Sequence, residues 1–240
     1  MVSIHVLLTL VSAFMPTTSV GPFEVLGCED PSIDRLSDVR EVVHDIVLGA
    51  AQAADDAKLG TDSLYGFTEL FKSNANRARV FGVFGQIASG AKVNALNKHG
   101  VLVPWTVGFL CPTPGHPLTD PIYKLCVERG MVGYVTKENP LVVLCPKMWD
   151  LPFVLPQKKF CPRLDGSEYT SDTWFQYNRF IVVMHKIVHL YSQPWLHPEK
   201  FDINDMVALD QSASVMNVNN FAFYASSQFP LYLLMLQGRD

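Results

Sequence analysis

The sequence predicts an α+β fold, because helical and strand-like patterning occupy separate blocks of its 240 residues. From about Asp34 to Ser89 apolar residues recur at steps of three and four, which is the period of a helix with one buried face. Between Val101 and Cys161 proline, glycine and short β-branched runs replace that period, and helical patterning returns near Thr173. Such blocks favour a small sheet beside helices over alternating βαβ units.

The first block predicts three helices whose apolar faces pack into a core. The first carries Leu36 to Val47 at helical steps and continues through an alanine-rich run, the second spans about Thr61 to Phe71, and the third about Asn74 to Ile87. In the middle block we expect strands at Val101–Phe109, Met131–Thr136 and Leu141–Cys145. The last two are separated by four residues ending in proline, which predicts a hairpin.

The third block predicts a helix from Thr173 to about Tyr191, with Ser171 or Asp172 as its N-cap. Its buried stripe would consist of Phe180, Met184, Ile187 and Tyr191. A further helix is expected from Val207 to Ala225.

Composition and charge exclude one function class. The formal net charge is -4 and no run of lysine or arginine occurs, so the chain lacks the electrostatic footprint of a nucleic-acid-binding protein. The length suits a single domain, and we expect a monomer.

The N-terminal segment predicts secretion. Residues 1–20 contain no charged Asp, Glu, Lys or Arg side chain, and an apolar stretch from Ile4 to Phe14 gives way to small residues. We interpret residues 1–20 as a signal peptide and 21–240 as one domain that is secreted and leaves the membrane after signal removal. Five cysteines follow, and an oxidising destination would let them pair, with at least one left over.

The most specific chemical signal is the pentad that begins at His185 and ends at His189. Two histidines four residues apart lie on one helix face and can bind one metal ion, as in zinc proteases. The residue after the first histidine is normally a glutamate that takes a proton from the metal-bound water, but here it is Lys186. A catalytic zinc also needs a third protein ligand, and the downstream candidates are His197, Glu199, Asp202 and Asp205.

Sequence order around the pentad resembles the deuterolysin and peptidyl-lysine metalloendopeptidase group, the aspzincin family of secreted fungal zinc peptidases. The resemblance covers about residues 28 to 228. It is carried by the following residues: Leu64, Tyr65, Gly66, Phe67, Phe71, Val80, Phe84, Leu141 to Pro146, Trp149 to Pro152, Cys161, Asp205, Ala213, Met216, Asn217, Asn220, Phe221, Phe223, Tyr224 and Ala225.

The resemblance implies a zincin-like fold with a helical N-terminal half, a small sheet, a zinc helix and a closing C-terminal helix. It implies zinc as cofactor, with His185, His189 and Asp205 as ligands, and peptides or proteins as substrates or ligands. It also implies the pairs Cys28–Cys111 and Cys126–Cys145, with Cys161 unpaired. The chain departs from the family pattern at Lys186, at Ala208 in place of tyrosine, and at Asp202 with Ile203 in place of Gly-Thr.

These departures predict impaired hydrolysis. A positioned acid–base group contributes about 100 to 10,000-fold in rate, and a lysine cation cannot act as the base. The leading interpretation is therefore a metalloendopeptidase-like protein whose activity is weakened or lost and whose zinc affinity is reduced. The alternatives are an active metalloendopeptidase in which Glu199, Asp202 or a desolvated Lys186 acts as base, and a non-enzymatic secreted binding or effector module.

Overall fold

A computed structural model describes residues 17–59, 67–96, 100–136, 138–152, 178–192, 199–201 and 203–226. The helices are α1 Leu36–Leu59, α2 Phe67–Phe71, α3 Arg77–Ser89, α4 Asp120–Glu128, α5 Arg179–Ser192, α6 Ile203–Val207, α7 Gln211–Ser214 and α8, residues 218–226. The strands are β1 Thr17–Val20, β2 Phe23–Leu26, β3 Val93–Leu96, β4 Leu102–Trp105, β5 Gly108–Leu110, β6 Gly133–Thr136 and β7 Leu141–Leu144. The chain thus mixes helices and sheet, as its sequence predicts.

The fold divides into two compact units. The first, which we call the sheet unit, comprises Met1–His44 and Gly90–Leu151; the second, the helical unit, comprises Asp45–Ser89 and Pro152–Asp240. Helix α1 runs from the first into the second. The expectation of one domain stays a prediction. Of the expected signal peptide, residues 1–16 lie outside the described residues, and residues 17–20 form β1.

The sheet unit contains a five-stranded sheet in the order β1-β2-β5-β7-β6. Its three central strands are parallel, and the two edge strands pair antiparallel with their neighbours. Strands β5 and β7 are buried along their whole length, as expected for parallel strands covered on both faces. The sequence analysis did not predict parallel strand pairs. Helix α4 lies in the connection between β5 and β7 and provides the crossover that parallel strands require, but the proline-rich sequence there did not indicate a helix.

Two strand predictions have different outcomes. Strands β6 and β7 form the expected antiparallel hairpin, in which the Thr136 hydroxyl donates to the carbonyl of Asn139. The predicted strand Val101–Phe109 is wrong as a single element: β4 pairs with β3 in a separate two-stranded sheet, whereas β5 joins the large sheet. The chain changes sheet between Trp105 and Gly108, a break that β-branched composition alone does not reveal.

Both disulfides lie in the sheet unit and confirm the pairs implied by the family resemblance. Cys28 joins Cys111, with S–S at 2.05 Å, and Cys126 joins Cys145. Cys126 and Cys145 are buried in an apolar cluster with Ile122 of α4, so the second bridge fastens α4 beside β7. Cys161 lies outside the described residues.

The helical unit is built around an aromatic core. The rings of Phe71 and Phe221 are 5.0 Å apart, and Phe67 lies edge-on to Tyr224 at 5.6 Å. Phe84 of α3 contacts the same two rings of α8. The predicted first-block helices are present where they are described, and the residues of the predicted α5 stripe, Phe180, Met184, Ile187 and Tyr191, are all buried.

The C-terminal segment corrects one expectation. The predicted single helix Val207–Ala225 is wrong, since α6, α7 and α8 occupy this region as separate helices. The Asp210 side chain accepts a hydrogen bond of 2.8 Å from the Ala213 backbone amide and so caps a new helix inside the predicted one. No helix among the described residues is long and apolar enough to cross a membrane.

Candidate metal site

Helix α5 brings the two predicted histidines together. Its N-cap is Asn178, whose side-chain oxygen accepts a 2.8 Å hydrogen bond from the Ile181 amide; the predicted caps Ser171 and Asp172 lie outside the described residues. One helical turn separates His185 from His189, and their Nε2 atoms lie 3.1 Å apart. His185 is buried and His189 is partly exposed.

Glu199 supplies a carboxylate to the same place. Its Oε1 lies 2.9 Å from Nε2 of His189, and its Oε2 lies 3.3 Å from Nε2 of His185. One ligand atom from each of the three residues lies within 4.8 Å of the others, which makes them a group able to hold a metal ion. Two imidazoles and one carboxylate are also the ligand set of several catalytic zinc sites.

Asp205, the ligand implied by the resemblance, has a different environment. Its side chain is 59% exposed, and its Oδ2 lies 3.5 Å from Nζ of Lys200. It is not a member of the three-residue group, so its role as ligand stays a prediction. The other two candidates, His197 and Asp202, lie outside the described residues.

The arrangement of protons fits a cation between the three residues. The Asn219 side chain donates from Nδ2 to the Lys200 carbonyl at 2.9 Å, so its Oδ1 faces His185 and accepts from Nδ1–H at 2.7 Å. The neutral His185 ring therefore presents an unprotonated Nε2 to the Glu199 carboxylate and to His189. Lone pairs that face each other at 3.3 Å repel, and a positive charge near both, the Nε2 proton of His189 or a metal ion in its place, relieves that repulsion.

Electrostatics at the site favour this protonation pattern. Burial lowers the pKa of His185 to about 3, and the positive charges of Lys186 and His189 act in the same direction. Burial alone would raise the pKa of the Glu199 carboxyl, but the hydrogen bond from His189 and the nearby positive charges outweigh it and lower the pKa overall. A neutral imidazole beside an ionised carboxylate is the state that binds a metal.

Lys186 is not free in solvent. Its side chain is half-buried; burial lowers the pKa of its ammonium group, and the charge of Glu199 opposes that shift. Among the described residues around the histidine pair, Glu199 is the carboxylate that approaches them, and it does so as a ligand candidate.

Sequence reasoning missed two neighbours of His185. Besides Asn219, the ring of Phe201 stacks on the His185 ring, with centroids 6.1 Å apart and planes at 25°. Phe201 is 51% exposed, so part of its ring beside His185 is accessible to solvent. A signal for Asn219 was present, because three asparagines interrupt an otherwise apolar C-terminal segment; none was present for Phe201.

Comparison with solved structures gives a structural similarity. No family model and no curated protein matches the chain. Among solved structures, the chain is similar to a zinc peptidase from Grifola frondosa, at 12% sequence identity and a TM-score of 0.47, over 78% of this chain and 90% of that one.

Proposed function

We propose that the protein is a secreted zinc-binding protein of the aspzincin type, with a zincin-like fold and a peptidase activity that is impaired or lost. The observation that carries the proposal is the convergence of His185, His189 and Glu199 on one point. Nε2 of His185 and the Glu199 carboxylate present lone pairs to that point, because the proton on His185 is held on the far nitrogen. Nε2 of His189 donates to Glu199 in the metal-free protein and would present its lone pair once a metal ion replaces that proton. This is the donor set that zinc prefers.

The three residues would hold zinc and leave a fourth position open. When bound, zinc supplies Lewis acidity and lowers the pKa of a coordinated water to about 7. In this chain α5 would hold the two histidine ligands one helical turn apart, and the Glu199 carboxylate would neutralise part of the charge of the zinc ion. The exposed ring of Phe201 offers an apolar contact to a peptide side chain that approaches the site.

The proposed impairment of hydrolysis rests on the lack of a free carboxylate base beside the histidine pair among the described residues. Cleavage of a peptide bond needs a carboxylate that takes a proton from the attacking water and returns it to the leaving amine. Lys186 occupies that sequence position and carries a cation, while Glu199 is engaged with both histidines. We therefore propose a peptide- or protein-binding role in which the metal position is retained and turnover is slow or absent.

Zinc stoichiometry and affinity test the proposal. We would compare the purified protein with His189→Ala and with His44→Ala, a matched change at an exposed histidine of α1. One tightly bound zinc that is lost only in His189→Ala supports the metal site. No zinc in any of the three refutes it and favours a non-enzymatic module.

Casein cleavage with and without chelator tests the second half of the proposal. No cleavage by the zinc-loaded protein is expected. Chelator-sensitive cleavage would show instead that the protein is an active metalloendopeptidase with another base.

The secreted location is part of the proposal. Two disulfides suit an oxidising compartment, and the apolar N-terminal segment has the pattern of a signal peptide. Recovery of the protein from the culture medium of a secreting host, with a shortened N-terminus by sequencing, is the expected result. An intact N-terminus inside the cell would contradict it.

A further inference from the structure

Three asparagines lie buried at the start of the closing helix. Asn217, Asn219 and Asn220 are each at most 5% exposed, in a segment whose other side chains are apolar. Burial of an amide costs free energy unless its donor and acceptor atoms find partners. Their partners therefore show what the three residues do.

Asn219 connects the first histidine to the segment that carries the carboxylate. Its Oδ1 accepts from Nδ1 of His185 at 2.7 Å, and its Nδ2 donates to the backbone carbonyl of Lys200 at 2.9 Å. Lys200 directly follows Glu199 in the chain. A single amide thus contacts one metal-ligand candidate and the residue next to another.

Asn217 holds the same backbone from a second direction. Its Oδ1 accepts from the Lys200 amide at 3.2 Å, and its Nδ2 donates to the Lys200 carbonyl at 3.2 Å. The Asn217 Nδ2 also donates to Oδ1 of Asn220, whose own Nδ2 donates to the carbonyl of Leu70. The backbone beside Glu199 is therefore tied to the aromatic core through a chain of amides.

We propose that Asn219 and Asn217 form an amide clamp that positions two metal ligands at once. Asn219 fixes the tautomer and ring orientation of His185, and both asparagines fix the Lys200 backbone so that the Glu199 carboxylate reaches the histidines. The inference rests on the proposed zinc site and names the positioning residues for it. Partners of this kind, behind the ligands, typically account for about 10 to 100-fold in metal affinity.

The clamp requires an amide at position 219. A carboxylate there still accepts from His185 but cannot donate to the Lys200 carbonyl, whereas alanine does neither. Asn219→Asp therefore separates the two functions of the side chain. Asn217→Ala removes the two hydrogen bonds between Asn217 and the Lys200 backbone. It leaves Asn219 in place as the acceptor for His185.

The first readout is the tautomer of His185 in the metal-free protein, measured by ¹⁵N NMR of the imidazole nitrogens at one fixed pH. We expect the Nδ1–H tautomer in the wild type, in Asn219→Asp and in Asn217→Ala, and a mixture of tautomers in Asn219→Ala. An unchanged tautomer in a folded Asn219→Ala protein would overturn the clamp.

The second readout is zinc affinity by competition with a chelator. Affinity is expected to fall about 10 to 100-fold in Asn219→Ala and to fall measurably in Asn217→Ala. The matched control is Asn76→Ala, which removes amide contacts to the carbonyls of Phe71 and Gln211, in the same unit and outside the site. It should lower the thermal midpoint without changing the tautomer or the affinity. Equal losses of affinity in Asn76→Ala and Asn219→Ala would reduce the asparagines to a structural role and refute the inference.

The two readouts separate the clamp from the proposed function. If the wild type binds no zinc, the zinc proposal fails, while the metal-free tautomer still decides whether Asn219 positions His185. If the wild type binds zinc and Asn219→Ala retains both tautomer and affinity, the clamp fails and the zinc site stands.

Discussion

Oε1 of Glu199 lies 2.9 Å from Nε2 of His189, while the second carboxylate oxygen of Glu199 faces His185. The carboxylate therefore bridges the two histidines of α5. The Asp205 carboxylate, by contrast, is exposed and pairs with Lys200. The geometry therefore favours Glu199 over Asp205 as the third ligand, a choice that the order of residues in the sequence leaves open.

The first prediction concerns these two carboxylates. Glu199→Gln removes the negative charge at the histidine pair, and we expect zinc affinity to fall about 100-fold or more, beyond the 10 to 100-fold typical of residues behind the ligands. Asp205→Asn breaks an exposed ion pair worth about 0–1 kcal/mol, so the change should stay below about fivefold. Isothermal titration with zinc measures both.

The reverse order of the two effects would assign the third ligand to Asp205. It would mean that the described Glu199 contact belongs to the metal-free state only. Circular dichroism of each variant controls for loss of fold.

The second prediction concerns Lys186, where two substitutions separate charge from catalysis. Lys186→Met removes a cation whose charge acts on His185 and Glu199, and it should raise zinc affinity about tenfold or more, because a like charge near the metal position opposes metal binding. Lys186→Glu should raise affinity as well and also provide a base, so chelator-sensitive cleavage of casein should appear only in this variant.

Tight zinc binding without cleavage in Lys186→Glu would show that more than the base is missing. Cleavage in Lys186→Met would show that another group serves as base. Either result would contradict the proposal that Lys186 alone prevents hydrolysis.

The fold was predictable where one face of an element is buried. The helical period of α1 and α3 and the hairpin of β6 and β7 follow local patterns, so the sequence reveals them. The strands β1, β2 and β3 were not predicted; β1 lies within residues 1–20, whose apolar pattern was interpreted as a signal peptide. Helix α4 was missed because prolines and glycines surround it.

The histidine pair was predictable because its spacing is local to one helix. Glu199 was one of four downstream candidates, and nothing local distinguished it, because the residues that hydrogen-bond to the neighbouring Lys200 backbone are the distant Asn217 and Asn219. Those contacts join residues 17 and 19 positions apart along the chain. Tertiary contacts of this kind leave no periodic trace in a sequence.

The third prediction compares the two disulfides. A bridge stabilises mainly by restricting the unfolded chain, and the effect grows with the loop it closes. Cys28 and Cys111 are 83 residues apart and Cys126 and Cys145 are 19 apart. Loop-closure entropy then gives about 4.5 and about 3.3 kcal/mol respectively.

Denaturant unfolding of the two double alanine variants measures the difference. The Cys28→Ala, Cys111→Ala protein should lose about 1 kcal/mol more unfolding free energy than the Cys126→Ala, Cys145→Ala protein. A larger loss in the second variant would show that packing of the buried Cys126–Cys145 bridge against α4 dominates over chain entropy.

The last prediction concerns a buried carboxyl group outside the site. Asp56 on α1 is 4% exposed; Gln52 donates to its Oδ1 at 3.2 Å, and its Oδ2 has no hydrogen-bond partner among the described residues. Burial raises the pKa of Asp56, the Gln52 hydrogen bond opposes the shift, and the charge of Asp55 adds to it. The folded state therefore binds the Asp56 proton more tightly than the unfolded state.

The sign of the pH dependence follows from this raised pKa. The contribution of Asp56 to stability is fully present below the usual aspartate pKa and is lost as the pH rises through the raised folded value. Asp56→Asn should consequently increase the free energy of unfolding at pH 7, and the gain should shrink as the pH falls toward the usual aspartate range. Asp55→Asn, at the exposed neighbouring position, should change stability little at either pH. Urea unfolding at several pH values measures both variants, and a destabilised Asp56→Asn protein at pH 7 would show that the ionised carboxylate is held by a favourable contact instead.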